Sequence, residues 1–241
     1  MTDWITPEWP APASVRALVT TRAGGVSVGP YSSMNLATHV GDDPAAVAEN
    51  RRRLRAHLPA EPLWLSQVHG VAVVRAGDAA EGAEADAAFT RRTGRVCAVL
   101  TADCLPVLLC NDAGTVVCAA HAGWRGLAGG VIESAVRATN EPPTRLLAWL
   151  GPAIGPQAFE VGAEVREAFL AHAPEAATAF AAKENGKWLA DLYRLAGQRL
   201  KALGVTRVFG GGHCTFEEAE RFYSYRREKT TGRMASLVWM E

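Results

Sequence analysis

Apolar residues along this chain change their spacing several times, and each change marks an element. Val15 to Thr21 reads as a strand, and RAGGVSVGPYSS after it is a glycine-rich loop that needs positive φ and tight turns. Asp42 or Asp43 as N-cap, Pro44 in the first turn, and Val47, Leu54 and Leu58 on one side predict a helix that breaks at Pro62. PLWL and VAVVRA are apolar stretches interrupted by SQVHG, and the Glu- and Ala-rich segment beyond them reads as an exposed loop. RVCAVL, LPVLLC and TVVCAAH are short, nearly continuous apolar runs, which predicts strands buried on both faces. Asn111, Asp112 and Gly114 supply hairpin chemistry between the last two.

From Gly126 to about Thr139 the residues Leu127, Val131, Ile132 and Ala135 recur with helical period, so CAAHAGWRG is a strand-to-helix junction. RLLAWLG predicts another strand. The later third holds two or three helices, the clearest from about Asp191 to Leu203 with Leu192, Leu195, Ala196 and Leu200 on one face. VTRVFGGG, RFYSYRRE and ASLVWME predict a closing β region. No repeat and no low-complexity linker divides the chain, so residues 1–241 read as a single domain. The irregular alternation of strands and helices favours α+β over a doubly wound parallel sheet.

Composition narrows the function classes. The 241 residues carry 25 basic and 25 acidic side chains, so no global field recruits nucleic acid or an anionic membrane, and any anion site must be local. The amino terminus lacks a basic leader followed by an apolar run, and no eighteen apolar residues stand together, which predicts a soluble cytoplasmic protein. Cys97, Cys104, Cys110, Cys118 and Cys214 are odd in number and form no CxxC pair, which argues against a disulfide framework or zinc ribbon.

Three potential metal ligands occupy turns beside apolar strands: His69 in SQVHG, Cys104 in TADCLP and His121 in AAHAGWRG. Their separations fit no zinc finger, so a site built from them must be assembled by the fold, with a fourth position open for water. Two imidazoles and a thiolate suit zinc, with a softer metal such as copper also possible. Cys97, Cys110 and Cys118 lie inside apolar runs and read as core; His39, His57 and His172 read as surface histidines. The glycines of HAGWRGLAGG let backbone N–H groups approach an anion at a helix start, with Arg125 adding a charged fork, or else allow tight packing. Arg22 in TTRAGG, and Tyr225 and Arg226 in FYSYRRE, are further candidates for substrate contact through stacking and hydrogen bonding.

Taken in order, TTRAGGVS, GPYSSMNL, HVGDDP, SQVHG, ADAAFT, TADCLPVLL, AAHAGWRGLAGG, GPAIGPQAFEVG, CT, FYSYRRE and TGRMAS closely resemble the YfiH family. It is also called the laccase-domain or multicopper polyphenol oxidase family, and its members have been reassigned as purine nucleoside phosphorylases. The resemblance runs from about residue 18 to the carboxyl end. It implies a fold of packed mixed β-sheets flanked by helices, in αββα-type layers, shared with some toxin deamidases. It also implies that His69, Cys104 and His121 are the zinc-binding catalytic residues.

The activities implied are phosphorolysis of adenosine, inosine, guanosine or methylthioadenosine to the base and a pentose 1-phosphate, and deamination of adenosine. The H-x-E and P-C-x-x-C pattern of the well-known zinc deaminases is absent, so deamination here would use a different scaffold. Two other activities follow from the same resemblance: editing of peptidoglycan precursors by amide hydrolysis of UDP-sugar amino acid conjugates, and copper-dependent phenol oxidation. Copper centres of the multicopper type draw on His-X-His pairs, and none occurs among the six histidines here.

Overall fold

The computed structural model describes residues 3–241. The first strand, β1 (Val15–Val19), leads into the glycine-rich loop, after which the Asp43 carboxylate accepts the Ala45 N–H and Pro44 opens α1 (Pro44–Arg55). Three short strands follow, β2 (Pro62–Leu63), β3 (Val73–Arg75) and β4 (Ala87–Thr90). The apolar runs then form β5 (Val96–Thr101), β6 (Leu105–Asn111) and β7 (Val117–Ala122), every residue of which is buried. Asn111 ties the β6–β7 turn by accepting the Thr115 N–H and donating to its hydroxyl, both at 2.8 Å.

The helical stretch after β7 is two helices rather than one. Gly130, in the left-handed region at φ 102°, separates α2 (Trp124–Gly129) from α3 (Val131–Thr139). Next come β8 (Leu146–Leu150), β9 (Glu160–Val161), α4 (Ala163–Leu170), β10 (Phe180–Ala182), β11 (Trp188–Ala190), α5 (Leu192–Leu203) and β12 (Arg207–Gly210). RFYSYRRE departs from its expected strand. Phe222 and Tyr223 are buried in an extended loop, and the Ser224 hydroxyl accepts the Arg227 N–H to start a single-turn helix, α6 (Tyr225–Glu228). Three loop carbonyls, of Thr215, Phe216 and Phe222, take up the Arg227 guanidinium and hold that turn in place. The chain closes with β13 (Met234–Met240).

Two sheets stack. One has the order β1-β13-β5-β2 and the other β12-β8-β6-β7-β4-β3; both mix parallel and antiparallel pairs. Alternation along each strand sorts side chains between layers. Val99 of β5 and Val238 of β13 face Leu108 of β6, Ala119 of β7 and Trp149 of β8 between the sheets. Leu105, Val107 and Leu109 of β6 point the other way, onto Ile132 of α3 and Leu195 of α5. Ala98 and Leu237 pack outward onto Met34 and onto Leu54 of α1. The architecture is therefore α+β in αββα layers, with a small third sheet, β10-β11-β9, beside α4.

Leu108 has no exposed surface and fills the space between the two sheets. Leu108→Ala should cost about 3 kcal/mol through lost burial and a residual cavity, read by urea denaturation. A loss below about 1 kcal/mol would mean that the sheets close over the gap.

Candidate metal centre and active-site cleft

Strand alternation aims two of the candidate ligands into one place. On β7, His121 shares the face of Val117 and Ala119, toward the gap between the sheets. Cys104 stands one residue before β6 and shares its parity with Leu108, so it turns toward the same gap. His69 arrives from the loop between β2 and β3, held in the left-handed region at φ 61°. The ligand atoms of His69, Cys104 and His121 all lie within 4.8 Å of one another, and Cys104 Sγ is 3.8 Å from His69 Nε2. The two imidazoles meet edge to face, with centroids 4.8 Å apart. His121 is buried, Cys104 half-buried and His69 exposed.

The arrangement is fixed by Asp86, a residue not singled out by the sequence reading. The pairing of β4 with β7 sets Ala87 opposite Ala120, which brings Asp86 opposite His121, and the Asp86 carbonyl accepts the His121 N–H at 2.7 Å. The Asp86 carboxylate accepts from His121 Nδ1 at 2.8 Å and from the backbone N–H groups of Val68, His69 and Gly70 at 3.2, 2.9 and 2.6 Å. One buried carboxylate thus orients the His121 ring, leaving Nε2 for a metal, and shapes the loop that carries His69. Gln67 clamps the same loop to β5 by exchanging two hydrogen bonds with the Leu100 backbone.

Asp103 does comparable work for Cys104. Its φ of 88° is left-handed, a conformation that costs a non-glycine residue about 1–3 kcal/mol and persists only where surrounding bonds enforce it. Those bonds are a Thr215 hydroxyl at 2.7 Å and the Arg226 N–H at 2.6 Å, one to each carboxylate oxygen.

Charge follows geometry. Burial alone would raise the Cys104 thiol, but His121 and His69 beside it outweigh that and bring its pKa down to about 6. Burial would lower His121, yet the Cys104 sulfur and the Asp86 carboxylate hold its imidazole up. Asp86 stays low against its own burial because His121, Gly70 and His69 all donate to it. A thiolate and two imidazoles, one oriented by a carboxylate, form a donor set that fits a zinc-type ion. Cys110 and Cys118, by contrast, are buried in apolar surroundings that push their thiols up to about 12.

The glycines of the HAGWRG turn serve close approach. A Cβ on Gly123 would stand 2.9 Å from Cys104 Sγ and 2.8 Å from His69 Cδ2, and one on Gly126 would stand 2.8 Å from the Gly70 carbonyl oxygen. They let α2 press against two of the three ligands.

The cluster opens on a cleft of about 240 Å³ whose walls include His39, Gln67, Tyr225 and Arg233. Beside it, across Cys104 and Tyr225, lies a mostly apolar slot of about 120 Å³ between Trp124, Ile154, Phe159 and Leu192. Tyr225 borders both spaces, and Arg226 borders the slot. Arg125 stands elsewhere, stacked over Trp124 at 4.5 Å in an adjoining hollow. Arg22 lines none of these spaces: its guanidinium donates to the Ser32 and Ala219 carbonyls and pairs with Glu228 at 3.1 Å. His39 is exposed, as expected of a surface histidine, and it also lines the cleft, as Arg233 does. The motifs HVGDDP, ADAAFT and TGRMAS held the missed residues His39, Asp86 and Arg233.

A protein family described as multi-copper polyphenol oxidoreductase laccase has a model that matches residues 16–241. Over the whole of both chains, the sequence is 59% identical to purine nucleoside phosphorylase PA4543 of Pseudomonas aeruginosa and 56% identical to purine nucleoside phosphorylase YfiH of Escherichia coli. The fold superposes on protein NMB0706 of Neisseria meningitidis with a TM-score of 0.96, at 53% identity and 99% coverage of each chain. For YlmD of Geobacillus stearothermophilus the TM-score is 0.93, at 31% identity over 99% of this chain and 96% of that one.

Two substitutions probe the centre without replacing a candidate ligand. Asp86→Asn should weaken zinc binding about 10–100-fold, measured by competition with a chromophoric chelator, because the His121 ring and the His69 loop lose their shared anion. Gly123→Ala should lower metal stoichiometry while cooperative unfolding persists, since the new methyl group meets both Cys104 and His69. Full zinc occupancy in Gly123→Ala would show that the turn yields to the methyl.

Proposed function

We propose that this chain, which belongs to the multi-copper polyphenol oxidoreductase laccase family, is a zinc-dependent purine nucleoside phosphorylase that also deaminates adenosine. The observation that carries the reading is the His69, Cys104 and His121 cluster, oriented by Asp86 and opening on a cleft that Arg233 and Tyr225 border. Relatives that match the chain over its full length bear the phosphorylase name.

In phosphorolysis a phosphate oxygen bonds to C1′ of the sugar as the C1′–N9 bond breaks, and the electron pair leaves with the purine. His69 Nε2, the Cys104 thiolate and His121 Nε2 would hold the zinc ion. When bound, zinc supplies Lewis acidity to a coordinated oxygen. Tyr225 is 52% exposed, with Lys229 at 5.6 Å and Arg233 at 6.0 Å from its ring centroid, and a purine would stack on its exposed surface. Arg226 borders the same slot and donates its own N–H to Asp103. The phosphate role that the sequence suggested for Arg125 passes to Arg233, the arginine that shares the cleft with the cluster. Arg233 donates through Nη1 to the Thr231 and Gly232 carbonyls, which aims the guanidinium before a ligand arrives. Because Cys104 must stay reduced to serve as a thiolate ligand, a reducing cytoplasm is the compartment that suits it.

Phenol oxidation is the weaker reading. Copper outcompetes zinc for most nitrogen and sulfur sites, so occupancy by copper would reflect affinity rather than a built oxidase.

Zinc-loaded protein incubated with adenosine should yield adenine and ribose 1-phosphate only when phosphate is present, and Cys104→Ala should abolish both products. Inosine would report the deaminase. Arg233→Gln should raise KM for phosphate well above any change in KM for adenosine; equal effects would remove Arg233 from the phosphate site. No purine product from metal-replete protein would sink the nucleoside reading and direct the assay to amide hydrolysis of UDP-sugar amino acid conjugates.

A further inference from the structure

Beyond the apolar slot lies a cationic hollow of about 240 Å³ that the phosphorolysis described above does not use. Trp124, Phe159 and Arg226 border both spaces, so the two adjoin, and the slot in turn shares Ala102, Cys104 and Tyr225 with the metal cleft. The cluster, the slot and the hollow thus lie side by side in that order.

The cations of the hollow are Arg125, Lys187 and Arg226. Arg125 lies over Trp124 at 4.5 Å and Arg226 over Phe159 at 5.2 Å, so each guanidinium is stacked on one wall of the slot. Arg226 is further fixed by donating through Nη1 to the Glu160 carbonyl at 2.6 Å. Among the described residues neither Arg125 nor Lys187 makes an ion pair. Two carboxylates also border the hollow. Glu160 is drawn off by Lys183 at 2.8 Å, and Glu164 folds back over its own helix start at Gly162. Three cations against the remaining Glu164 leave an excess of two positive charges. A phosphate monoester carries about −1.5 to −2 at pH 7 and offers three strong acceptor oxygens, which matches that excess in charge and in donor number.

We infer that Arg125, Lys187 and Arg226 form a distal subsite for the phosphate of a monoester whose organic part occupies the apolar slot and reaches the metal cleft. The cleft accordingly takes phosphorylated substrates longer than a nucleoside. This inference rests on the metal cleft being the reaction centre, and not on which bond is broken there.

The test uses zinc-loaded protein and isothermal titration with phenyl phosphate, phenol, inorganic phosphate, adenosine and adenosine 5′-monophosphate. Phenyl phosphate should bind at least about tenfold tighter than phenol or inorganic phosphate, because the ring and the anion are held together. Arg125→Gln/Lys187→Gln should remove that advantage, with an unchanged melting temperature excluding misfolding. Phenyl phosphate no tighter than inorganic phosphate, or an advantage that survives the double substitution, overturns the subsite. The purine arms separate the two proposals. Failure of both purines to bind, with phenyl phosphate binding in an Arg125- and Lys187-dependent way, would discard the nucleoside reading and keep the subsite.

Discussion

The His69, Cys104 and His121 cluster depends on one buried carboxylate and the four donors that surround it. A carboxylate without exposed surface is tolerable only when its oxygens are fully hydrogen-bonded. Asp86 meets that demand with three successive backbone N–H groups and the His121 ring. The same bonds that make the burial tolerable draw two ligands together from chain segments that are otherwise unrelated. Removing the carboxylate would orphan three amides in a half-buried loop as well as releasing an imidazole.

The stacked sheets explain why such a centre forms at their edge. Side chains between the sheets are apolar for most of the strand length, with Ser236 of β13 an exception, and Thr101, Cys104 and His121 gather at the edge where β5 and β7 end and β6 begins. At that edge the backbone is held in unusual conformations, left-handed at both His69 and Asp103. Each is tied by specific bonds, His69 through Asp86 and Gln67, Asp103 through Thr215 and Arg226. Left-handed non-glycine backbone also occurs at Asn140, Asn185 and Lys229, but at His69 and Asp103 it places candidate ligands, while β5, β6 and β7 follow ordinary strand geometry.

Which parts of this were legible in the sequence follows from how local each determinant is. The apolar runs of β5, β6 and β7 announce buried strands because the signal lies within each run. The cap at Asp43 and the helix at Leu192–Leu203 are local as well. Asp86 was silent because its role arises from register: it faces His121 only once β4 pairs with β7, 35 residues apart. Arg125 lay in a motif with His121, but the turn into α2 sends its side chain toward Trp124 and the distal hollow. Alternating aromatics in RFYSYRRE imitate a strand, and only the capping hydroxyl of Ser224, together with the carbonyls that bind Arg227, favours a helical turn.

The gradient of exposure across the three ligands carries a further consequence for how the centre works. His121 is oriented by a buried carboxylate, and Cys104 follows a turn fixed by Asp103, so both are positioned before any ion arrives. His69 is exposed, and its backbone is fixed while its ring faces solvent. A metal ion bound there would therefore find two of its three donors already held by protein bonds, which lowers the ordering cost of binding. The cluster opens on a single cleft, and Tyr225 and Arg233 in its walls belong to the same C-terminal segment that fixes Cys104 through Arg226 and Asp103.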